Sequence, residues 1–117
     1  MFETSHSSAS GTAVLAISGN LDLSTLSRFR SEVLQTIGES GPSIILDFST
    51  VDIFETVSLG VIFEAVKRSA THDGLVVLVN PSERLSNDLQ LTGAGRILNV
   101  TSTVSDAVAL LQSAAGG

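Results

Sequence analysis

Four carboxylates in turn-like settings, Asp22, Asp47, Asp52 and Glu55, are the residues best placed for chemistry in this chain. Carboxylates brought together serve as acid and base or as ligands. If Asp47 closes a parallel strand, it and Glu55 lie near each other at the edge where strand C-termini gather. The same residue types also cap helices and solvate turns. His6 and His72 lie far apart in polar stretches, the setting of solvated histidines rather than of ligands or bases. There is no cysteine, so a transition-metal cage would need carboxylates from distant segments, and neither a metal nor another cofactor is expected. Gly93-x-Gly95 follows a helical stretch and has no third glycine, which makes it a helix stop and not a dinucleotide fingerprint. Val57-Ser58-Leu59-Gly60 is half of a nucleophile elbow, but Thr56 stands where the first glycine is required. With no histidine suitably placed beside Ser58, no catalytic residue is expected.

The elements that must position these groups follow from periodicity. Ser5–Gly11 reads as a strand end and a turn, with the bend at Ser10–Gly11, and Thr12–Ser18 as a strand broken by Gly19–Asn20. Leu26, Phe29, Val33 and Ile37 recur at helical steps, with Ser24 as N-cap and Gly38 or Gly41 as stop. Ser43–Phe48 is almost wholly apolar, as a strand covered on both faces would be. Leu59–Ala70 returns to helical spacing, and Leu75–Val79 is another apolar strand ended by Asn80–Pro81. Ser82 caps a short helix holding Leu85 and Leu89, closed by Gly93–Ala94–Gly95; Ile97–Val100 is a last strand. Thr103 and Asp106 make a capping-box-like start, and Val104, Ala107, Val108 and Leu111 form the buried side of the final helix. This alternation predicts one α/β domain over residues 1–117, with parallel central strands and an N-terminal edge hairpin. Residues 1–10 and 114–117 are expected to fray.

Composition narrows the partners. Twelve acids against six bases give a formal charge of −6, which repels nucleic-acid phosphates and anionic membranes. All the aromatics are phenylalanines, five of them, so stacking platforms for single strands are scarce. Mean hydropathy is +0.38, yet the longest apolar runs, such as Leu75–Val79, fall far short of the roughly 20 residues a spanning helix needs. Met1–Ser10 has neither a basic residue nor an apolar run, so no signal peptide is expected and the location expected is cytoplasmic.

Four local signatures then fall in order: Gly19-x-Leu21-Asp22, Ile45-Leu46-Asp47-Phe48, Glu55–Val61, and Asn80-Pro81-Ser82 with Leu91-Thr92-Gly93 behind it. Together they resemble the STAS domain, in particular the single-domain anti-sigma factor antagonists, over nearly the whole chain. The resemblance implies a four- or five-stranded mixed sheet with helices packed mainly on one face, and no catalysis. It implies a kinase-type anti-sigma factor as partner, which phosphorylates a serine at the start of the second helix and so ejects the antagonist. A charge near −2 in a packed interface costs desolvation and repels neighbouring acids.

The family's usual run at that point is Asp-Ser-Ser-Gly-Leu-Gly, where this chain has Glu55-Thr56-Val57-Ser58-Leu59-Gly60. Val57 takes the phosphoacceptor position and has no hydroxyl. Thr56 and Ser58 are the substitute acceptors, but a one-residue shift at a helix start turns a side chain by about 100°. The expected partner surface comprises Asp22, Ser24, Glu55, Thr56, Val57, Ser58 and Leu59, on a chain that is monomeric when free, with a dimer as the alternative. An apolar Val57 there favours a dry contact; its other role is packing of the first helical turn. A second reading of the same resemblance is a STAS scaffold or accessory subunit of a stress-sensing assembly or transporter, with room for a nucleotide.

Overall fold

An N-terminal hairpin opens the chain in a computed structural model that describes residues 2–91 and 98–116. Strands β1 (Phe2–Ala9) and β2 (Thr12–Leu21) pair antiparallel across Ser10–Gly11. Both turn residues have positive φ, 50° and 83°, the twist that lets a two-residue loop join two strands. Fraying is expected over residues 1–10, yet Phe2 to Ala9 all have partners in β2. Phe2 is buried and lies under the Arg28 guanidinium, 4.9 Å from the ring centroid, which pins the strand to the first helix.

Helix α1 (Leu26–Ser40) leads to β3 (Ile44–Phe54), a 3-10 turn (Thr56–Ser58) and α2 (Leu59–Ala70). Strand β4 (Val76–Val79), α3 (Glu83–Leu91), β5 (Asn99–Thr101) and α4 (Val104–Gly116) complete the order. The five strands lie in sequence order, with every pair after the hairpin parallel. The four- or five-stranded mixed sheet expected from the sequence is this one.

Two strands outrun their sequence limits. Gly19–Asn20 do not break β2, because Gly19 takes φ 87° and the ladder absorbs the distortion as an irregularity. Asp47–Phe48 do not end β3, which continues to Phe54 alongside Leu21; Thr50 Oγ1 donates to the Ile17 carbonyl at 3.0 Å. Asp47 is therefore mid-strand, paired with Ala16 and Val79, on the order of 20 Å along the strand from its end. The expected meeting of Asp47 and Glu55 does not occur. Gly38 lies within α1, and Gly41 is the residue that caps it. Leu85 N–H donates to Ser82 Oγ and Asp106 N–H to Thr103 Oγ1, each at 3.1 Å, so both expected caps form. Residues 92–97, and with them the Gly93–Ala94–Gly95 stop and Ile97, lie outside the described residues, as does the Leu89 side chain.

The sheet is covered on both faces, unequally. Phe29, Val33 and Ile37 of α1, Leu59, Val61, Ile62 and Ala65 of α2 and Leu85 of α3 share one core with Leu15, Ile17, Leu46, Phe48 and Leu78. On the other face Val14, Ile45, Val77 and Val79 meet α4 through Ala107 and the partly buried Val104, Val108, Leu110 and Leu111. Ile44, Ile45 and Leu46 are consecutive and fully buried, which explains the unbroken apolar run in β3.

Candidate functional site

The site is built where β2 and β3 end together. Leu21 pairs with Phe54, and one residue further the Glu55 N–H donates to the Leu21 carbonyl at 2.8 Å. This bond sets the β2–α1 loop beside the β3–α2 turn. Asp22 organises the first of these. Its Oδ1 accepts from the Ser24 hydroxyl at 2.5 Å, the Ser24 N–H at 2.9 Å and the Thr25 N–H at 3.2 Å. These bonds, the Ser24 hydroxyl foremost, hold the Asp22 carboxyl below its usual range. Ser24 is thus a partner of Asp22 and not the helix cap; Thr25 precedes the helix. The nearly buried Thr25 Oγ1 accepts from the Asp22 N–H and donates to the Asn20 carbonyl.

The second segment turns sharply. Glu55 is extended, with φ −96° and ψ 144°, and its carbonyl accepts from the Ser58 N–H at 2.9 Å to close the 3-10 turn. That turn divides the expected surface in two. Glu55, Thr56 and Val57 face solvent, with Val57 44% exposed, whereas Ser58 is fully buried and Leu59 belongs to the core. Ser58 is the residue before α2, but its side chain caps nothing: its Oγ has no hydrogen-bond partner among the described residues. A buried hydroxyl is out of reach of a kinase, so Ser58 is not available as a substitute acceptor in this conformation.

Two apolar residues join this surface that the sequence reading omits. Leu23 is 74% exposed between Asp22 and Ser24, and Ile53 is 51% exposed between Asp52 and Phe54. Their signal was an apolar residue bounded by polar ones at a strand end, with Ile53 one step out of phase with the buried Phe54. Leu23, Ile53 and Val57 lie at one end of the sheet among the partly or fully exposed Asp22, Asp52 and Glu55. Asp47 is not among them; its Oδ1 is occupied by the Ser49 N–H and hydroxyl. Among the described residues no three His, Asp or Glu side chains gather as a metal site would need, and no helix is long and apolar enough to cross a membrane.

This order of strands, with helix starts clustered where the parallel strands end, agrees with the family comparison. The family model described as STAS domain matches residues 6–107. The chain belongs to the STAS domain family. A Thermotoga neapolitana protein named as an anti-sigma factor antagonist is 35% identical over 69 residues, 59% of this chain and 61% of the relative. This STAS domain therefore aligns with less than two thirds of that relative's length. A crystal structure described as an anti-sigma factor antagonist from Thermotoga maritima superposes with a TM-score of 0.86 at 24% identity, covering 93% of this chain and 94% of the other. An anti-sigma factor antagonist from Mycobacterium paratuberculosis gives a TM-score of 0.81 at 21% identity over 96% and 95% of the two chains. At such identities the two structures establish the fold of this STAS domain.

Proposed function

We propose that this STAS domain is a regulatory protein-binding module that docks on an anti-sigma factor of the kinase type. The docking surface is the sheet end formed by Asp22, Leu23, Ser24, Ile53, Glu55, Thr56 and Val57. The observation that carries the reading is the exposed Val57 on a turn bonded to the neighbouring loop. An apolar side chain held outward on a fixed turn is suited to a dry contact, and the surrounding carboxylates suit a partner with a basic rim. Since valine offers no hydroxyl, a partner kinase has no acceptor at that position, and the usual ATP-driven release does not operate there.

The test is a pull-down from the native cell extract, read by mass spectrometry, with wild type and Val57→Ser, each with and without ATP. The wild type is expected to retain an ATP-binding anti-sigma factor under both conditions. The serine variant is expected to lose it when ATP is present. Recovery of no such protein by either form would overturn the proposal.

A further inference from the structure

A hollow of about 350 Å³ opens between the C-terminal ends of α1 and α2, lined by Ile37, Gly38, Gly41, Pro42, Arg68 and His72. It lies at the far ends of the two helices whose starts carry the surface discussed above, about 20 Å away along α1. Arg68 also lines the adjoining hollow, with Glu64, Lys67 and Thr71.

Three features set this hollow apart. First, its donor side chains make no hydrogen bond among the described residues. Arg28 stacks on Phe2 and Arg30 grips Glu64, but the Lys67, Arg68 and His72 side chains have no hydrogen-bond or ion-pair partner among the described residues. Lys67 and Arg68 do complement the carbonyl end of α2, yet that role leaves their donors unfilled. Second, a glycine sits in the last turn of α1 without a packing reason. A Cβ built at Gly38 would meet nothing within 4 Å. Glycine is a poorer helix former than alanine, and what its missing side chain provides is the open space. Third, the wall is fixed. A Cβ on Gly74 would fall 2.5 Å from the Pro42 carbonyl carbon, so the α2–β4 connection packs directly against the α1–β3 connection. The Leu75 N–H donates to Ser43 Oγ, and the Ile44 N–H to the Leu75 carbonyl.

Glu64 attracts Arg68 through space, but no nearby acid forms a hydrogen bond with Arg68 among the described residues. Glu64 is bound to Arg30, Glu39 accepts from Gln35, and Asp73 lines a separate hollow with Ser43, Leu75 and Leu111. We infer that the hollow is a binding site for a small molecule with an apolar body and one oxyanion head group, carboxylate or phosphate. The body lies over Ile37, Gly38 and Pro42, and the head group meets Arg68, with Lys67 and His72 as further donors. This site is independent of the partner surface.

The test uses the full ¹⁵N-labelled chain, titrated at fixed ionic strength with benzoate, phenyl phosphate and inorganic phosphate. Saturable shifts are expected at the amides of residues 37–41 and 67–74 with benzoate or phenyl phosphate, and the tighter of the two identifies the head group. Inorganic phosphate is expected to bind about tenfold more weakly or worse, lacking the apolar body. Arg68→Gln should weaken binding by about tenfold or more. Gly38→Leu should abolish it by filling the hollow, with no loss of thermal stability because a better helix former enters open space. Shifts that do not saturate, shifts centred on the Thr56–Leu59 turn, or full binding by either variant would overturn the inference.

Discussion

The Glu55 N–H and the Leu21 carbonyl, 2.8 Å apart, join two loops separated by more than thirty residues of sequence. The bond continues the β2–β3 ladder one step past its last paired residues, Leu21 and Phe54. Whatever docks on Val57 therefore meets Asp22 and Leu23 at a distance set by the sheet and not by loop flexibility.

That fixed spacing makes the surface testable residue by residue. Leu23→Asp and Val57→Asp should each weaken binding to the proposed partner by about tenfold or more, as loss of a central apolar contact does. Leu23 is largely in water and Val57 44% exposed, so the far-ultraviolet circular dichroism should stay at wild-type values, with at most a small fall in thermal midpoint for Val57→Asp. Unchanged binding by isothermal calorimetry would move the interface elsewhere.

Asp22 holds its loop through three donors on one oxygen. Asp22→Ala should speed hydrogen exchange at the Ser24 and Thr25 amides, while Asp22→Asn, which keeps an acceptor, should fall between. Because these bonds favour the ionised form, the restraint is complete above the ordinary carboxylate range and fades as pH falls through it toward the depressed value. The same amides in wild type should loosen on acidification, and those in Asp22→Ala should not respond.

The Arg30–Glu64 pair has the same sign. Arg30 Nε and Nη2 donate to the two Glu64 oxygens at 2.8 and 2.7 Å, which lowers the Glu64 carboxyl and raises the guanidinium. The native state then binds fewer protons than the unfolded chain, so this contribution is present above the ordinary glutamate range and lost below it. Glu64→Gln should melt below wild type near neutrality and converge with it in acid. Both side chains are substantially exposed, so screening keeps the difference small, and added salt should shrink it further.

Ser58 carries a cost without a visible return. Its hydroxyl is fully buried and unpartnered among the described residues. Ser58→Ala should stabilise the domain by about 1 kcal/mol in urea unfolding. Partner binding should not change, since the side chain is not at the surface. A kinase reaction on the wild type followed by peptide mapping should find Ser58 unmodified.

Phe48 is the hinge of an aromatic chain, edge-on to Phe29 at 6.5 Å and to Phe54 at 6.4 Å between centroids. It links α1 to the far end of β3. Phe48→Ala should cost about 3–5 kcal/mol, read as a lower denaturant midpoint. It should also loosen Phe54 and hence the turn that presents Val57, so binding should weaken with stability.

Much of this arrangement is legible in the sequence, and the failures share a cause. The steps from Leu59 to Val66 alone place α2 over Leu59–Ala70, and the apolar runs place β3 and β4, because burial leaves a periodic trace. Gly19 and Asn20 look like strand breakers and Asp47 like a strand end, yet parallel pairing to the far end of β3 outweighs their preferences, aided by register irregularities that no local pattern announces. Exposure at the site is hidden for the same reason. Ser58 and Val57 are adjacent in sequence, and the 3-10 turn decides that the hydroxyl goes inside and the isopropyl group outside. Leu23 and Ile53 lie outside every periodic run in the sequence, and only the folded sheet end shows them exposed.

The unequal loading of the sheet bears on what α4 keeps covered. Among the described residues of α4 only Ala107 is fully buried, and the strip it covers, Val14, Ile45, Val77 and Val79, runs across three neighbouring strands. Detaching this helix would uncover a branched-aliphatic band bordered by the half-buried Asp47 beside Val79, an apolar surface of the kind that promotes association. Helix α4 covers this band, and trimming the chain from its C-terminus is expected to expose it before the larger core is touched.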